Sequence, residues 1–313
     1  MRNRKISFLA RLCVFILLIN ALGSFALAVD TPVEVGYKEI PLYLDGKYIG
    51  AGYLIGDFTY VPVVSFCETL MGTDFIVNWN QEDQSVTLDA LDVHISFDME
   101  NTYFMVNDRY LYLPDGAYNV NGTLLMPIRT LAKIFNVGVN WNEYDWSVDL
   151  DLRQYEVLES GEWFYDEESL YWLSHVISSE SGLEPFLGQI AVGNVVLNRV
   201  KDTSGFFPNT IKGVIFQSGQ FQVVSAGTIY NEPFKESVIA AKLCLEGYNV
   251  VGESLYFLNP AISSNYWFRA TQTYVTTIHN HEFYAYGSYV VSTPFGGWRQ
   301  SADCQCCLHP LRR

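Results

Sequence analysis

Asp166-Glu167-Glu168-Ser169-Leu170-Tyr171-Trp172-Leu173-Ser174-His175-Val176-Ile177-Ser178-Ser179-Glu180-Ser181-Gly182-Leu183-Glu184-Pro185 runs from a helix start to a helix stop. Asp166 is a plausible N-cap, and Glu167 and Glu168 place negative charge in the first turn, where the helix dipole favours it. Leu170, Leu173, Ile177 and Glu180 follow at i, i+3, i+7 and i+10, which puts all four on one helix face. Gly182 ends the helix and Pro185 can open the next. Glu180 therefore occupies a position that the pattern reserves for a core residue. A carboxylate there is costly unless paired or protonated, and desolvation raises its pKa toward neutrality. A general acid that protonates a glycosidic oxygen near pH 7 needs that environment. The alternatives are a Glu that snorkels to water or one that pairs with Arg199.

The next helix, Pro185 to Lys201, is apolar nearly all round in Phe186, Leu187, Ile190, Ala191, Val192, Val195, Val196, Leu197 and Val200. It is expected to be the central buried helix of its domain. Gly188 and Gly193 lower helix propensity, and close packing is the expected reason for them.

Upstream the chain repeats itself. Tyr60-Val61-Pro62-Val63-Val64-Ser65-Phe66, Val77-Asn78-Trp79-Asn80 and Ser85-Val86-Thr87-Leu88 return as Leu125-Met126-Pro127-Ile128-Arg129-Thr130-Leu131, Val139-Asn140-Trp141-Asn142 and Ser147-Val148-Asp149-Leu150. Each unit reads as a short strand, a Pro at a helix start, an amphipathic helix, and two strands joined by a polar turn. Strand pairs around Asp45-Gly46 and Asn107-Asp108 precede them. The predicted result is a small α+β domain over 36–151. It resembles the copper amine oxidase N-terminal-like domain, although no set of His or Cys ligands for copper occurs in it. Trp79 and Trp141 are expected in its core rather than as carbohydrate platforms, since each heads a strand.

Composition bounds the remainder. The 313 residues carry Lys+Arg 19 against Asp+Glu 34, a formal net charge of −15, and 15% aromatic residues. Two domains with real cores fit that length, and disorder does not fit that aromatic content. Without a basic patch, an acidic chain makes nucleic acid a poor partner. Residues 1–28 read as a secretory signal, with Arg2, Arg4, Lys5 and Arg11 before an apolar run and Ala26-Leu27-Ala28, the alternative being an uncleaved anchor. Removing it leaves −19, of which residues 29–162 hold −16 (22 acidic, 6 basic) and residues 163–286 only −5. So large a negative charge in the first domain reads as a solvated surface, a cation-modulated wall-binding face being the alternative. Cys67 and Cys244 read as buried free thiols. Cys304, Cys306 and Cys307 fall in a tail, 287–313, expected to be disordered and to hold no specific metal.

The second half carries the stronger resemblance. Ser179-Glu180-Ser181-Gly182-Leu183-Glu184-Pro185-Phe186-Leu187-Gly188-Gln189-Ile190-Ala191, Phe207-Pro208-Asn209-Thr210-Ile211, Gln220-Phe221, Tyr256-Phe257-Leu258-Asn259-Pro260, Trp267 and Ile278-His279-Asn280-His281-Glu282-Phe283-Tyr284 occur in the order of the SleB-type cell wall hydrolase, or spore cortex-lytic, family. The resemblance spans 163–286, after a linker at 152–162. It implies an overall α+β chain in which a mostly helical, lysozyme-like (lytic transglycosylase-like) catalytic domain follows the repeat domain. It implies cleavage of peptidoglycan glycan strands, outside the cytoplasmic membrane in the cell wall or spore envelope. The catalytic residue carried over is Glu180, first of the two in a Glu-Ala-x-Gly-Glu-Pro signature; here Ser181 replaces the Ala and Leu183 the Gly. Gln220, Tyr256, Asn259, Trp267 and His281 are candidates for the sugar groove, because amides bind hydroxyl and acetamido groups and aromatic faces stack on pyranose rings. No cofactor or metal is expected, a monomer is, and wall or spore-coat partners through the first domain stay open. One rival is a zinc-dependent amidase or peptidase built from His175, His279 and His281, the last two taken to share a strand face. The other is a non-catalytic wall-binding or spore-assembly protein.

Overall fold

The computed structural model describes residues 36–287, apart from 83, 114, 115, 121, 153, 154, 264 and 265; side chains 266 and 267 are also left undescribed. The signal segment and the Cys304, Cys306 and Cys307 tail lie outside the described residues. Among the described residues no helix is long and apolar enough to cross a membrane.

The amino-terminal half is β-rich. β1 (Lys38–Leu44) and β2 (Lys47–Ile55) form a hairpin around Asp45 and Gly46, whose φ values of 49° and 79° are the left-handed pair that a tight turn requires. β3 (Phe58–Pro62) leads through Pro62 into α1 (Val63–Met71), then β4 (Ile76–Asn80) and β5 (Ser85–Asp89). β6 (His94–Asp98), β7 (Tyr103–Val106), β8 (Arg109–Tyr112), β9 (Tyr118–Val120) and β10 (Thr123–Pro127) follow. The second unit closes with α2 (Ile128–Ile134), β11 (Gly138–Asn142) and β12 (Ser147–Asp151). Asn107 and Asp108 turn β7 into β8 with φ of 48° and 62°.

The two units interlock instead of standing in series. A seven-stranded sheet runs β11-β12-β1-β2-β3-β10-β9, with β12 parallel to β1 and the equivalent strands β3 and β10 paired antiparallel; a five-stranded sheet runs β4-β5-β6-β7-β8. Both helices drop Phe66, Cys67, Leu131 and Ile134 into one core between the sheets, beside Leu88, Ile95, Phe104 and Leu150. Burial pushes the Cys67 thiol up to about 12, as expected of a structural cysteine.

Trp79 and Trp141 depart from their expected burial. They pair with Val86 and Val148, which are in the core, but β4 and β11 are edge strands, so both indoles remain about 40% exposed, at 43% and 40%. An inward-facing residue on the last strand of a sheet has neighbours on one side only.

The carboxyl-terminal half packs α3 (Gly161–Phe164), α4 (Glu167–Ser181), α5 (Phe186–Lys201), α6 (Ile211–Phe216), α7 (Gln222–Ala226) and α8 (Lys235–Leu245) with α9 (Tyr266–Thr271). A three-stranded sheet, β13 (Tyr256–Leu258), β15 (His281–Ala285) and β14 (Thr273–Ile278) in spatial order, completes it. As a mixture of helix and sheet the whole chain is α+β. α5 is the buried centre: Ile190, Ala191, Val192, Val195 and Val196 are fully buried against Leu173, Val176 and Ile177 of α4 and Ala240, Ala241 and Leu243 of α8. At Gly193 an added Cβ would lie 2.7 Å from the Cys244 sulfur and 2.8 Å from Ile177, so glycine permits that approach.

The connector is packed, not merely polar. Val157 and Leu158 lie on the first core, the Leu158 amide donates to the Ile134 carbonyl at 2.9 Å, and the Gly161 amide donates to Asn107 at 2.7 Å. Across the join Arg109 of β8 makes a two-pronged ion pair with Glu246, at 2.6 and 2.8 Å. Tyr165 donates to the same carboxylate, and Tyr112 stacks on Tyr248 at 3.6 Å. Both charges of the pair are nearly buried, and Lys133, at 3.3 Å, also pairs with Glu246, so it is deletion of Glu246 that would strand a buried charge, Arg109, at a cost of about 3–5 kcal/mol.

Candidate active site

The sequence of α4 positions its own last turn. Asp166 caps the helix by accepting from the Ser169 amide at 2.8 Å, and Leu173, Val176 and Ile177 bury the inner face. Glu180 sits one turn further along that face, where the helix emerges from the core. The Ser178 hydroxyl accepts from the Phe234 amide at 3.1 Å, and the Ser179 hydroxyl donates to the Thr228 carbonyl at 3.1 Å. The 227–234 loop is thereby tied to the turn that carries Glu180. Helix α7 closes another side, with the Val223 amide near the carboxylate.

Glu180 is only partly covered as a residue, but its Oε1 is buried and has no hydrogen-bond partner among the described residues. Desolvation dominates and raises its pKa to about 7, against the opposing pull of the Arg199 charge and the Val223 amide. Arg199 is itself fully buried. Its Nε donates to the Leu255 carbonyl at 2.7 Å, and the Phe207, Phe221 and Tyr256 rings stand 5.0 to 5.7 Å from the guanidinium. Of the sequence alternatives, snorkelling does not describe a buried oxygen, and the Arg199 charge is outweighed by burial.

Four residues on, Glu184 meets the opposite environment. Its Oε2 lies 2.6 Å from His279 Nδ1, and its Oε1 accepts from Asn280 at 3.1 Å and lies 3.9 Å from His281 Nδ1. Burial raises its pKa, but the His279 and Asn280 hydrogen bonds outweigh that and hold the carboxyl below its ordinary value. His279 and Asn280 form the two-residue turn between β14 and β15, and His279 has φ 50°. That left-handed backbone is uncommon for a residue other than glycine.

The groove candidates divide. Gln220 and His281 are 3% and 2% exposed, the latter wedged against the Phe257 and Phe283 rings, so both lie behind the surface and not on it. Tyr256 is half-buried, with its ring facing the Arg199 guanidinium and Phe207. Asn259 is partly exposed, and its side chain accepts from the Ala261 amide at 2.9 Å to make a turn. Trp267 belongs to α9, and its side chain lies outside the described residues.

Sequence reasoning missed the aromatic residues nearest the end of α4. Phe234 is half exposed and its ring lies over Gly182, where a Cβ would come within 2.7 Å of it. Tyr230, on the same loop, is exposed, with Trp172 6.2 Å behind it. Only the glycine at 182 hinted that something approaches there.

The histidines of the zinc reading are dispersed. His175 gives Nδ1 to the Ile229 carbonyl at 2.8 Å and stacks on Tyr171, whereas His279 and His281 face Glu184 from a turn and a strand, not from one strand. Among the described residues no group of three His, Cys, Asp or Glu side chains could hold a metal. In the first half His94 is bound to Asp89 at 2.5 Å and Cys67 is buried.

Two family matches cover these halves. Residues 43–150 match the Copper amine oxidase N-terminal domain, and residues 183–284 match Cell Wall Hydrolase. A spore cortex-lytic enzyme of Bacillus cereus is 38% identical over 122 residues, which is 38% of this chain and 45% of that protein. The spore cortex-lytic enzyme of Bacillus subtilis is 32% identical over 103 residues, 33% of each. A solved structure, the catalytic domain of the germination-specific lytic transglycosylase SleB from Bacillus anthracis, is 33% identical and covers 41% of this chain and 99% of that one, with a TM-score of 0.36. The chain thus spans less than half the length of the curated relatives it matches. Residues 183–284 thus carry a cell wall hydrolase domain and residues 43–150 a copper amine oxidase N-terminal-like domain.

Proposed function

We propose that residues 163–286 form a lysozyme-like catalytic domain that cleaves the glycan strands of peptidoglycan, in the cell wall or spore envelope, with Glu180 as the proton donor. The observation that carries this reading is the buried, unpartnered Oε1 of Glu180 at a helix end that still reaches solvent, with a pKa near 7. Such a carboxyl is still about half protonated at neutral pH and can give its proton to a glycosidic oxygen. The spore cortex-lytic relatives support the substrate class.

Hydrolases that retain or invert use two carboxylates. Here the nearest in sequence, Glu184, has both oxygens engaged by the 279–280 turn. A single-carboxyl route fits better. Glu180 protonates the oxygen between N-acetylmuramic acid and N-acetylglucosamine, and that bond breaks. The resulting carboxylate takes the proton of the muramic C6 hydroxyl as that oxygen closes on C1, which regenerates the acid and leaves a 1,6-anhydro end without consuming water. The partly exposed Asn259 and the Phe234 and Tyr230 rings supply amide and stacking contacts along the groove. The test is mass spectrometry of digested sacculi. The wild-type chain is expected to release anhydromuramyl fragments and Glu180→Gln none; equal release by the variant would refute the assignment.

A further inference from the structure

The duplicated hairpins of the first half serve as controls for each other. β4–β5 and β11–β12 pair in the same register, Asn80 opposite Ser85 and Asn142 opposite Ser147. In each, the Asn side chain accepts from the amide two residues on, Glu82 at 3.0 Å and Tyr144 at 3.1 Å. In each, the residue before the returning strand is left-handed, Gln84 at φ 50° and Trp146 at φ 57°. The backbone is one device built twice, and the first copy makes it with Glu82 and Gln84.

The second copy puts Tyr144 and Trp146 at those positions. Folding does not ask for them: the turn forms with polar residues, and a bulky aromatic residue at positive φ is disfavoured. They are also not in the core, with Tyr144 93% and Trp146 48% exposed. Trp146 meets Trp141 edge to face at 5.9 Å, and the Lys38 ammonium sits 3.6 Å from its ring centroid. One corner of the seven-stranded sheet thus exposes three aromatic rings and a lysine, framed by the exposed carboxylates of Glu143 and Asp145.

We infer that this corner is a carbohydrate-binding site that holds a peptidoglycan glycan strand by stacking pyranose faces on Trp141, Tyr144 and Trp146. Glu143 and Asp145 accept from sugar hydroxyls, and Lys38 meets the carboxylates the polymer carries. Charge disfavours two other occupants that aromatic surfaces take: a domain with 22 acidic and 6 basic residues over 29–162 repels the dense phosphates of anionic lipid and nucleic acid more strongly than a glycan whose charge is limited to its muramic carboxylates. The choice of polymer rests on the reading of Glu180, since one chain would then hold and cut the same strand.

The test is co-sedimentation with purified, peptide-free glycan strands, done in the Glu180→Gln chain so that nothing is cleaved. Tyr144→Glu with Trp146→Gln gives the second hairpin the residues of the first, a combination that this turn already accommodates, so melting temperature and circular dichroism should be unchanged. Binding is expected to weaken about tenfold. Trp146→Gln alone, and Lys38→Ala, should each give part of that loss. Binding within twofold of the parent chain, or transfer of the aromatic-dependent binding to phosphatidylcholine vesicles, would overturn the site. Failure of the Glu180 reading would show separately, as cleavage by the parent Glu180→Gln chain.

Discussion

Glu180 and Glu184 are four residues apart and live in opposite surroundings. The first ends an apolar stripe, with a buried oxygen to which no group among the described residues donates. The second is gripped by His279 and Asn280 from a turn nearly a hundred residues downstream. Burial lifts one carboxyl to about 7, and hydrogen bonds hold the other below its ordinary range. The contrast teaches that local partners, not residue type, divide the work: one Glu keeps a proton to give away, and the other stays ionised and fastens the β14–β15 hairpin to the helix joint.

The harshest way to break the comparison is to remove the proton. Glu180→Gln should lower glycan release by about 10²- to 10⁴-fold, the usual worth of a general acid. In the wild-type chain, release should fall as pH rises through about 7, because the ionised carboxylate cannot donate. An activity that instead rises through that range would assign Glu180 to a base.

Glu184→Gln keeps shape and removes charge. It should cost less in rate, about tenfold, through loosened positioning, and its pH profile should keep the same fall near 7. If the fall moves with Glu184, the roles are exchanged.

Much of this arrangement is legible in the sequence, and the reasons are local. The Asp166 cap, the Leu170-Leu173-Ile177-Glu180 stripe, the stop at Gly182 and the Asp45-Gly46 turn each depend on neighbours within a few residues. What escaped depends on distant pairing. Nothing near Ser147–Asp151 announces a parallel partner in β1, and nothing near Trp79 or Trp141 says that their strands are the last of their sheets. Gln220 and His281 look like sugar ligands by type, yet both are buried once the chain folds. The grip of His279 on Glu184 spans two motifs that sequence reasoning treated apart.

Stability gives a smaller, inverse signature. A carboxyl whose folded pKa lies above its unfolded value binds more protons folded than unfolded, so stability falls as pH rises from about 4.5 to about 7 and then levels. Glu180→Gln removes that penalty. The variant should be more stable than wild type at pH 8, by on the order of 3 kcal/mol at most, with little difference at pH 4. Urea unfolding at the two pH values checks it.

The mildest probe is Phe234→Ala, which strips the ring from over Gly182. KM for glycan should rise a few-fold with kcat nearly kept, and Phe234→Trp should restore it.

The most direct measurement is a carbon-13 NMR titration of the side-chain carboxyls in glutamate-labelled chain, assigned with Glu180→Gln and Glu184→Gln. The account predicts that the resonance lost in Glu180→Gln titrates near 7, and that the one lost in Glu184→Gln titrates below 4.5. A Glu180 carboxyl that titrates with the ordinary surface glutamates would contradict it.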